Sequence, residues 1–290
     1  MVKKRKAILY ILVILIAIWS LIPVYFIFRM SLMYDVEIAS VPLHFIPEEP
    51  TLNNFRRILG FPVNTPYGDL GPSGYSRDVK QGITNSLLVA IPITLVTLAI
   101  ASPVGYAFGR YAFRAKNGLL FTMLGSRALP PISIVVPYLM LFTVIGLFGT
   151  IPGLILITLS ITIPIASWIL MGFFATLPRE IEKAARVDGC SRLGAFRKVI
   201  LPMAASGIAA VGVLCFLLSW NEFLYAWLLS SGTPAQTITP VPPKMIFLLI
   251  WYSELSSTVV ISLIPPIIIA LLFERYITKL KIVDPVTYAA

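Results

Sequence analysis

Few side chains in this sequence could carry covalent chemistry. His44 is its single histidine, and its two cysteines, Cys190 and Cys215, have no Cys or His neighbour at zinc-ligand spacing. Cys190 lies in a charged stretch and Cys215 inside an apolar run, so no disulfide between them is expected. His44 stands in a proline-rich stretch and reads as a surface residue. No Ser/His/Asp or Cys/His set can be assembled from these residues, no metal site is expected, and no G-x-x-x-x-G-K-S/T phosphate loop occurs. What remains is a set of polar groups embedded in apolar sequence: Arg127, Asn221, Glu222 and Tyr225. Ionisable residues in such runs are costly to bury and are candidates for function by default. Asn221, Glu222 and Tyr225 lie among Trp220 and Trp227. An amide, a carboxylate and a phenol beside aromatic rings suit a solute rich in hydroxyls and C–H faces, such as a carbohydrate. The same residues also fit an aromatic belt at a membrane interface, with Glu222 solvated. Arg127 is open to two readings, a pathway residue or an interhelical or snorkelling arginine that fixes packing. Tyr138 and Trp168 read as packing residues.

The elements that must position these groups are apolar helices. The chain has 290 residues, 58% of them hydrophobic and only 12% charged, with a formal net charge of +10. Soluble domains carry about twice that charged share, and a chain of this size cannot hide so much apolar surface in a soluble core. A bilayer core needs about 20 apolar residues of helix, and about six runs qualify: Ala7 to Met30, Ile83 to Phe108, Gly118 to about Leu147, Pro152 to Phe174, Ala204 to Leu229, and about Leu255 to Phe273. The first run follows Lys3, Lys4, Arg5 and Lys6; it is long for a signal-peptide core and is read as a retained span. The third is interrupted by Arg127 and the Pro130-Pro131 pair.

Basic residues alternate with the runs. They cluster at the N-terminus, at Arg110, Arg114 and Lys116, between Arg179 and Lys198, and at Arg275, Lys279 and Lys281. By the positive-inside rule these segments, and so both termini, are expected on the cytoplasmic side. The positive charge is thereby explained as topology rather than nucleic-acid binding. The segment from Ser31 to Gly82 is rich in Pro, Gly and Asn and is expected to be a structured external loop with short elements. No internal repeat is visible, and residues 1–290 are read as one transmembrane domain.

The cytoplasmic segment Thr176 to Pro202 is longer than a connection between helices requires. Its sequence is TLPREIEKAARVDGCSRLGAFRKVILP. Pro178 suits a first helical turn, Glu180 and Glu182 complement the helix dipole, and Ile181, Ala184 and Ala185 fall on one narrow small-residue face. Gly189 is placed to cap the C-terminus, and Ser191 to cap a second short helix. In that second helix Leu193, Phe196, Val199 and Ile200 form an apolar stripe opposed by Arg192, Arg197 and Lys198. The spacing predicts two capped helices joined at a glycine elbow. The interleaved acids and the small-residue face favour protein contact over lipid headgroups.

Glu182-Lys183-Ala184-Ala185-x-x-Asp188-Gly189, followed by Val199-x-Leu201-Pro202, resembles the EAA loop of binding-protein-dependent ABC importer permeases. Two positions depart from that pattern: Lys183 stands where the motif's glutamate usually lies, and Val199 where isoleucine is usual. Asn85-Ser86-Leu87, the stretch Gly105 to Phe113, and Trp220-Asn221-Glu222-Phe223 are similar to segments of carbohydrate permeases of the maltose-importer second-permease type. The resemblance implies an all-α membrane protein with the type I ABC importer permease fold, multi-pass in the cell membrane. It implies a non-catalytic transport subunit working by alternating access with a second permease, two ATP-binding cassette subunits and an external solute-binding protein, with a sugar as substrate. It implies docking of the ATPase at Glu182, Ala184, Ala185, Asp188 and Gly189, and no cofactor on this chain, ATP and magnesium being held by the partner ATPases. Asn221, Glu222, Tyr225 and Arg127 are the expected substrate path. Within the same superfamily glycerol phosphate or amino acids are alternative solutes. An ion-coupled secondary transporter would call for more buried acids than Glu222 alone.

Overall fold

A computed structural model describes residues 2–248 and 251–277. In chain order the elements are α1 (Val2–Ser31), α2 (Asp35–Ile38), α3 (Asn53–Ile58), β1 (Val63–Thr65), β2 (Gly68–Leu70), α4 (Ser76–Arg110), α5 (Lys116–Gly125), α6 (Pro131–Val144), α7 (Ile151–Thr176), α8 (Arg179–Val187) and α9 (Arg192–Ala195). A π-helical turn over Phe196–Ile200 leads into α10 (Leu201–Met203), α11 (Ala205–Trp220), α12 (Leu224–Ser230), α13 (Val241–Leu248) and α14 (Tyr252–Ile277).

Among the described residues four helices are individually long and apolar enough to cross a membrane, with spans at Ile8–Ser31, Ser76–Arg110, Ile151–Thr176 and Tyr252–Tyr276. A fifth is counted if Arg192–Met203 and Ala205–Trp220, bent by 75°, form one broken span. Of the six or so expected runs four are single helices, the third is broken where its prolines were expected to interrupt it, and the fifth is also broken. The run from Gly118 to Leu147 divides into α5 and α6, because Pro130 is extended and Pro131 restarts the helix as its first residue. The run from Ala204 to Leu229 divides after Trp220 into α11 and α12. Such breaks are tolerated at membrane depth where they face protein or a wet cavity. Lys279 and Lys281 of the tail lie outside the described residues.

The described residues group into two compact units, 2–81 with 241–248 and 251–264, and 82–240 with 265–277. In the first unit, the 31–82 segment contains the short elements its composition predicted. They are α2, α3 and an antiparallel hairpin pairing Val63 with Leu70. Asn54, buried, donates to the Ser31 and Met33 carbonyls at 3.0 and 2.8 Å. Glu254, buried at the start of α14, takes Arg57 at 2.7 Å and the Ser73 hydroxyl at 2.5 Å. These bonds fold a polar loop into an ordered cap. His44 is half-buried rather than a plain surface residue, lying 3.6 Å from Glu37 and 3.4 Å from Glu48.

The second unit is built on α4, α7 and α11. Gly105 and Gly109 lie one helical turn apart on α4, against α7. A Cβ at Gly105 would sit 2.8 Å from the Leu170 Cβ, and one at Gly109 only 2.7 Å from the Met171 carbonyl oxygen. Small residues at this spacing let two helix backbones approach closely, the packing that replaces the hydrophobic effect inside a bilayer. Thr97 and Thr162 add a 2.7 Å hydrogen bond between the same two helices. One apolar cluster joins Tyr106, Leu170, Phe174, Phe196, Ile200 and Val211; another joins Ile93, Val135, Phe142, Ile157, Tyr225 and Leu229. Asn85 and Ser86 pin the chain that follows α12: the Asn85 amide donates to the carbonyls of Pro234 and Gln236, and the Ser86 hydroxyl accepts from the Ile238 amide.

Candidate functional site

The 176–202 loop folds as the sequence predicted at its caps. α8 starts after an extended Pro178 and carries Glu180 and Glu182 in its first turn. It ends at Gly189, whose φ of +88° lies in the left-handed region. The Cys190 amide reaches back to the Ala185 carbonyl at 3.0 Å and the Gly189 amide to Arg186 at 3.2 Å. This pair of bonds is a Schellman motif, closed by a residue that carries no Cβ penalty there. Ser191 then caps α9, its hydroxyl accepting from the Gly194 amide at 3.1 Å.

The faces differ from expectation. Ala185 is buried, while Ala184 and Asp188 are exposed, and Ile181 is intermediate. α8 lies against α9 and the π-helical turn, and that contact takes up the side of α8 bearing Glu182 and Ala185. Ala184 and Ala185, adjacent in sequence, diverge by about 100° round a helix, so only one can point outward. The outward face carries Lys183, Ala184, Val187 and Asp188, and Val187 is 87% exposed. The expected apolar stripe of the second helix also divides. Phe196 and Ile200, in the π-helical turn, are buried, but Leu193, in the α-helical turn before it, is 57% exposed.

Glu182 anchors the loop. Its carboxylate accepts from the Tyr106 hydroxyl at 2.7 Å and lies 3.4 Å from that of Tyr111 and 3.6 Å from the Arg110 Nε. Arg110 ends α4. It donates to the Leu177 and Pro178 carbonyls at 2.8 and 3.2 Å, satisfying acceptors left open where α7 gives way to α8. The Tyr106 ring packs on Phe196 at 4.7 Å and Phe174 at 5.8 Å, and the Arg192 guanidinium lies over Tyr111 at 5.7 Å. One cluster therefore ties the ends of two long helices to both short helices of the loop. Tyr106, Arg110 and Tyr111 belong to the Gly105–Phe113 segment singled out in sequence; their partner was not readable, since Glu182 is more than seventy positions away.

The second group of candidates is rearranged by the break in α11–α12. Asn221 and Tyr225 do not share a helix face. Asn221 is exposed and its amide donates to the Leu217 carbonyl at 2.9 Å, closing α11. Tyr225 is buried and meets Tyr138 edge-on at 6.2 Å. Glu222 accepts from the Tyr225 and Ala226 amides at 2.9 and 2.8 Å, so its carboxylate caps the N-terminus of α12. A carboxylate is favoured there by otherwise unpaired N–H groups and by the helix dipole. Arg127 is half-buried in the turn after α5. The structure thus brings Tyr138, Tyr225 and Glu222 into one neighbourhood at the start of α12, and shows no contact of Arg127 with them among the described residues.

Comparison with known proteins bears on this arrangement. Residues 101–282, more than half of the chain, match the model of the family described as "Binding-protein-dependent transport system inner membrane component". The chain belongs to this family. It is a multi-pass inner-membrane protein, a transport permease. Among its relatives, the trehalose transport system permease protein SugB of Mycobacterium tuberculosis is 32% identical over 263 residues, covering 89% of each chain. The trehalose/maltose transport system permease protein MalG of Thermococcus litoralis is 30% identical over 282 residues, covering 95% of this chain and 94% of the relative. The fold is shared with a chain in the crystal structure of a bacterial ABC transporter involved in import of the acidic polysaccharide alginate, at a TM-score of 0.72 and 19% identity, covering 92% of this chain and 94% of that one.

Proposed function

We propose that this chain is one permease subunit of an ATP-driven sugar importer, passing a mono- or oligosaccharide from an external solute-binding protein across the membrane by alternating access. The observation that carries the reading is that relatives aligned along most of the chain are trehalose and maltose permeases. The loop's geometry supports the division of labour. ATP and magnesium are bound by two partner ATPase subunits, a second permease completes the path, and both termini and the 176–202 loop face the cytoplasm.

Within the loop, Ala184 and Asp188, joined by Val187 and the Gly189 elbow, form the surface that docks in the ATPase. Glu182 and Ala185 contribute by fixing α8 to the permease body. The polar residues at the helix breaks, Arg127, Asn221, Glu222 and Tyr225, line or support the solute path. Asn221 is the exposed member, while Glu222 and Tyr225 shape the break that presents it.

The test is reconstitution of the complete complex, with uptake and substrate-stimulated ATP hydrolysis as readouts. Val187→Glu places a charge on the outward face and is expected to abolish stimulated hydrolysis and uptake while the permease remains inserted and folded. Ala185→Glu is expected instead to lower the yield of folded complex, because that position is buried. Normal sugar uptake by the Val187→Glu complex would refute the docking assignment. A complex that hydrolyses ATP but moves no sugar presented by its binding protein would refute the substrate class.

A further inference from the structure

The cytoplasmic end of the second unit holds a cavity of about 380 Å³ beside the coupling loop, and its lining is strongly basic. Arg110, Arg114, Lys116 and Arg179 contribute cationic side chains, Tyr111 and Asn117 contribute polar groups, and no carboxylate lines it. Among the described residues no acid lies within ion-pair distance of Arg114, Lys116 or Arg179. Arg110 has its side chain 2% exposed, and its Nε is buried with no hydrogen-bond partner, 3.6 Å from Glu182. The first turn of the ten-residue helix α5, at Lys116 and Asn117, borders the same space and has no side-chain cap. A helix N-terminus without a capping group offers backbone N–H donors to an anion. Arg110 is paired with Glu182 and bonded to the Leu177 and Pro178 carbonyls, but Arg114, Lys116 and Arg179 stand round the same concave space with no carboxylate beside them, a setting that favours an anion from outside.

We propose that this cavity binds the phosphate of an anionic phospholipid headgroup in the cytoplasmic leaflet. Its position decides between a lipid and a free anion. The cavity lies where α4 and α7 leave the membrane, at headgroup level if the permease reading holds, on which the inference rests in this respect. Phe121 of α5, 81% exposed and one helical turn beyond Asn117 on the same face, offers apolar surface fit for an acyl chain. Arginines hold a phosphate with paired N–H donors while lysine adds a point charge. The site also has a lever. Arg110 lines it and stands beside Glu182, so a bound phosphate adds negative charge against the group that positions α8. Occupancy should therefore tune how the coupling loop is held.

The experiment uses the complete transport complex in nanodiscs of phosphatidylcholine alone or with phosphatidylglycerol at graded fractions. Lipid retained after delipidation is measured by native mass spectrometry, and stimulated ATP hydrolysis is measured in parallel. The variants are Arg114→Gln and Lys116→Gln, singly and together; both residues lie outside the Glu182 cluster. The wild-type complex is expected to retain phosphatidylglycerol over phosphatidylcholine and to show activity that rises with its fraction. Each removed cation should weaken that preference roughly fivefold, with activity in pure phosphatidylcholine unchanged. Equal retention of phosphatidylglycerol by wild type and the double variant would overturn the proposal. So would inorganic phosphate reproducing the stimulation in pure phosphatidylcholine discs, since the anion would then be soluble. A complex that fails to hydrolyse ATP or take up sugar in any lipid overturns the permease reading; one that does both without lipid preference overturns only this site.

Discussion

Tyr106→Phe removes one oxygen from the cluster that holds the coupling loop and leaves the rest intact. The ring contacts with Phe196 and Phe174 persist, and so does the Arg110 pairing. What is lost is one hydrogen bond at 2.7 Å to a carboxylate. Bonds to charged groups are worth about 1.5–3 kcal/mol. The lower end applies, because Glu182 keeps 14% of its side chain in solvent and retains the weaker Tyr111 contact. A loss of about 1.4 kcal/mol is a factor of ten in an equilibrium, so detachment of α8 should become about tenfold more frequent. Glu182→Ala is more severe. It removes the counter-charge from Arg110, whose side chain is only 2% exposed, and breaking a buried pair costs about 3–5 kcal/mol. The Leu177 and Pro178 carbonyls still receive Arg110, which keeps the cost near the bottom of that range. Amide hydrogen exchange over 179–187 in the assembled complex reads this directly, since local opening sets the protection. Tyr106→Phe should lower protection about tenfold and Glu182→Ala by on the order of a hundredfold, with sugar moved per ATP falling in the same order. In a double-mutant cycle the two changes should be strongly non-additive, because both act on one bond. Additive effects, or unchanged protection in Tyr106→Phe, would show that the ring packing alone holds the loop.

Other substitutions test the remaining supports. Gly189 has a φ of +88° and open space round its Cβ position, so Gly189→Ala should cost about 1–2 kcal/mol through backbone conformation alone, and Gly189→Val more, measured as a lowered melting temperature of the complex. Gly109→Ala brings a Cβ within 2.7 Å of the Met171 carbonyl and should cost about 1–3 kcal/mol or prevent assembly, whereas Gly118→Ala, with nothing within 4 Å, should be tolerated; size-exclusion profiles of the purified complex distinguish them. Glu222→Gln retains one acceptor for the two amides at the start of α12, while Glu222→Leu retains none. The leucine variant should therefore lose roughly twice the stability of the glutamine one, and equal losses in thermal denaturation would point to charge rather than capping.

What the sequence disclosed and what it hid divide along a physical line. The caps at Gly189 and Ser191 were legible because each is decided by a residue and its immediate neighbours. The short elements of 31–82 were legible as punctuation by Pro, Gly and Asn. The break at Asn221–Phe223 was hidden because the run stays apolar and aromatic on both sides. One signal was available: an acid immediately before an apolar helical segment can cap it, and Glu222 does so for α12. The outward face of α8 was hidden for a different reason. Ile181, Ala184 and Ala185 are all small or apolar, so periodicity cannot choose which of them is covered. Tertiary contact makes the choice, through Glu182 meeting the Tyr106 hydroxyl. The α13 helix, between the fifth and sixth apolar runs, escaped because eight residues are too few to span a membrane and two of them are prolines near its start.

The same cluster fixes which side of α8 faces the permease body. Lys183 is exposed, while Glu182, one place earlier, supplies the carboxylate that meets α4. One position along a helix is about 100° of rotation, so a carboxylate at 183 would face outward and could not reach Tyr106 or Arg110 without turning α8. Glu182 thus belongs to the permease side of the loop, and the outward face carries Lys183, Ala184, Val187 and Asp188, the surface proposed above for docking. A force applied to that face is carried inward by connections of known kind. These are a charged hydrogen bond from Tyr106, an ion pair from Arg110, and the Arg110 bonds to the carbonyls where α7 ends. Because Gly105 and Gly109 bring α4 and α7 into backbone contact beside this junction, the docking face proposed above is tied to two packed helices rather than to one.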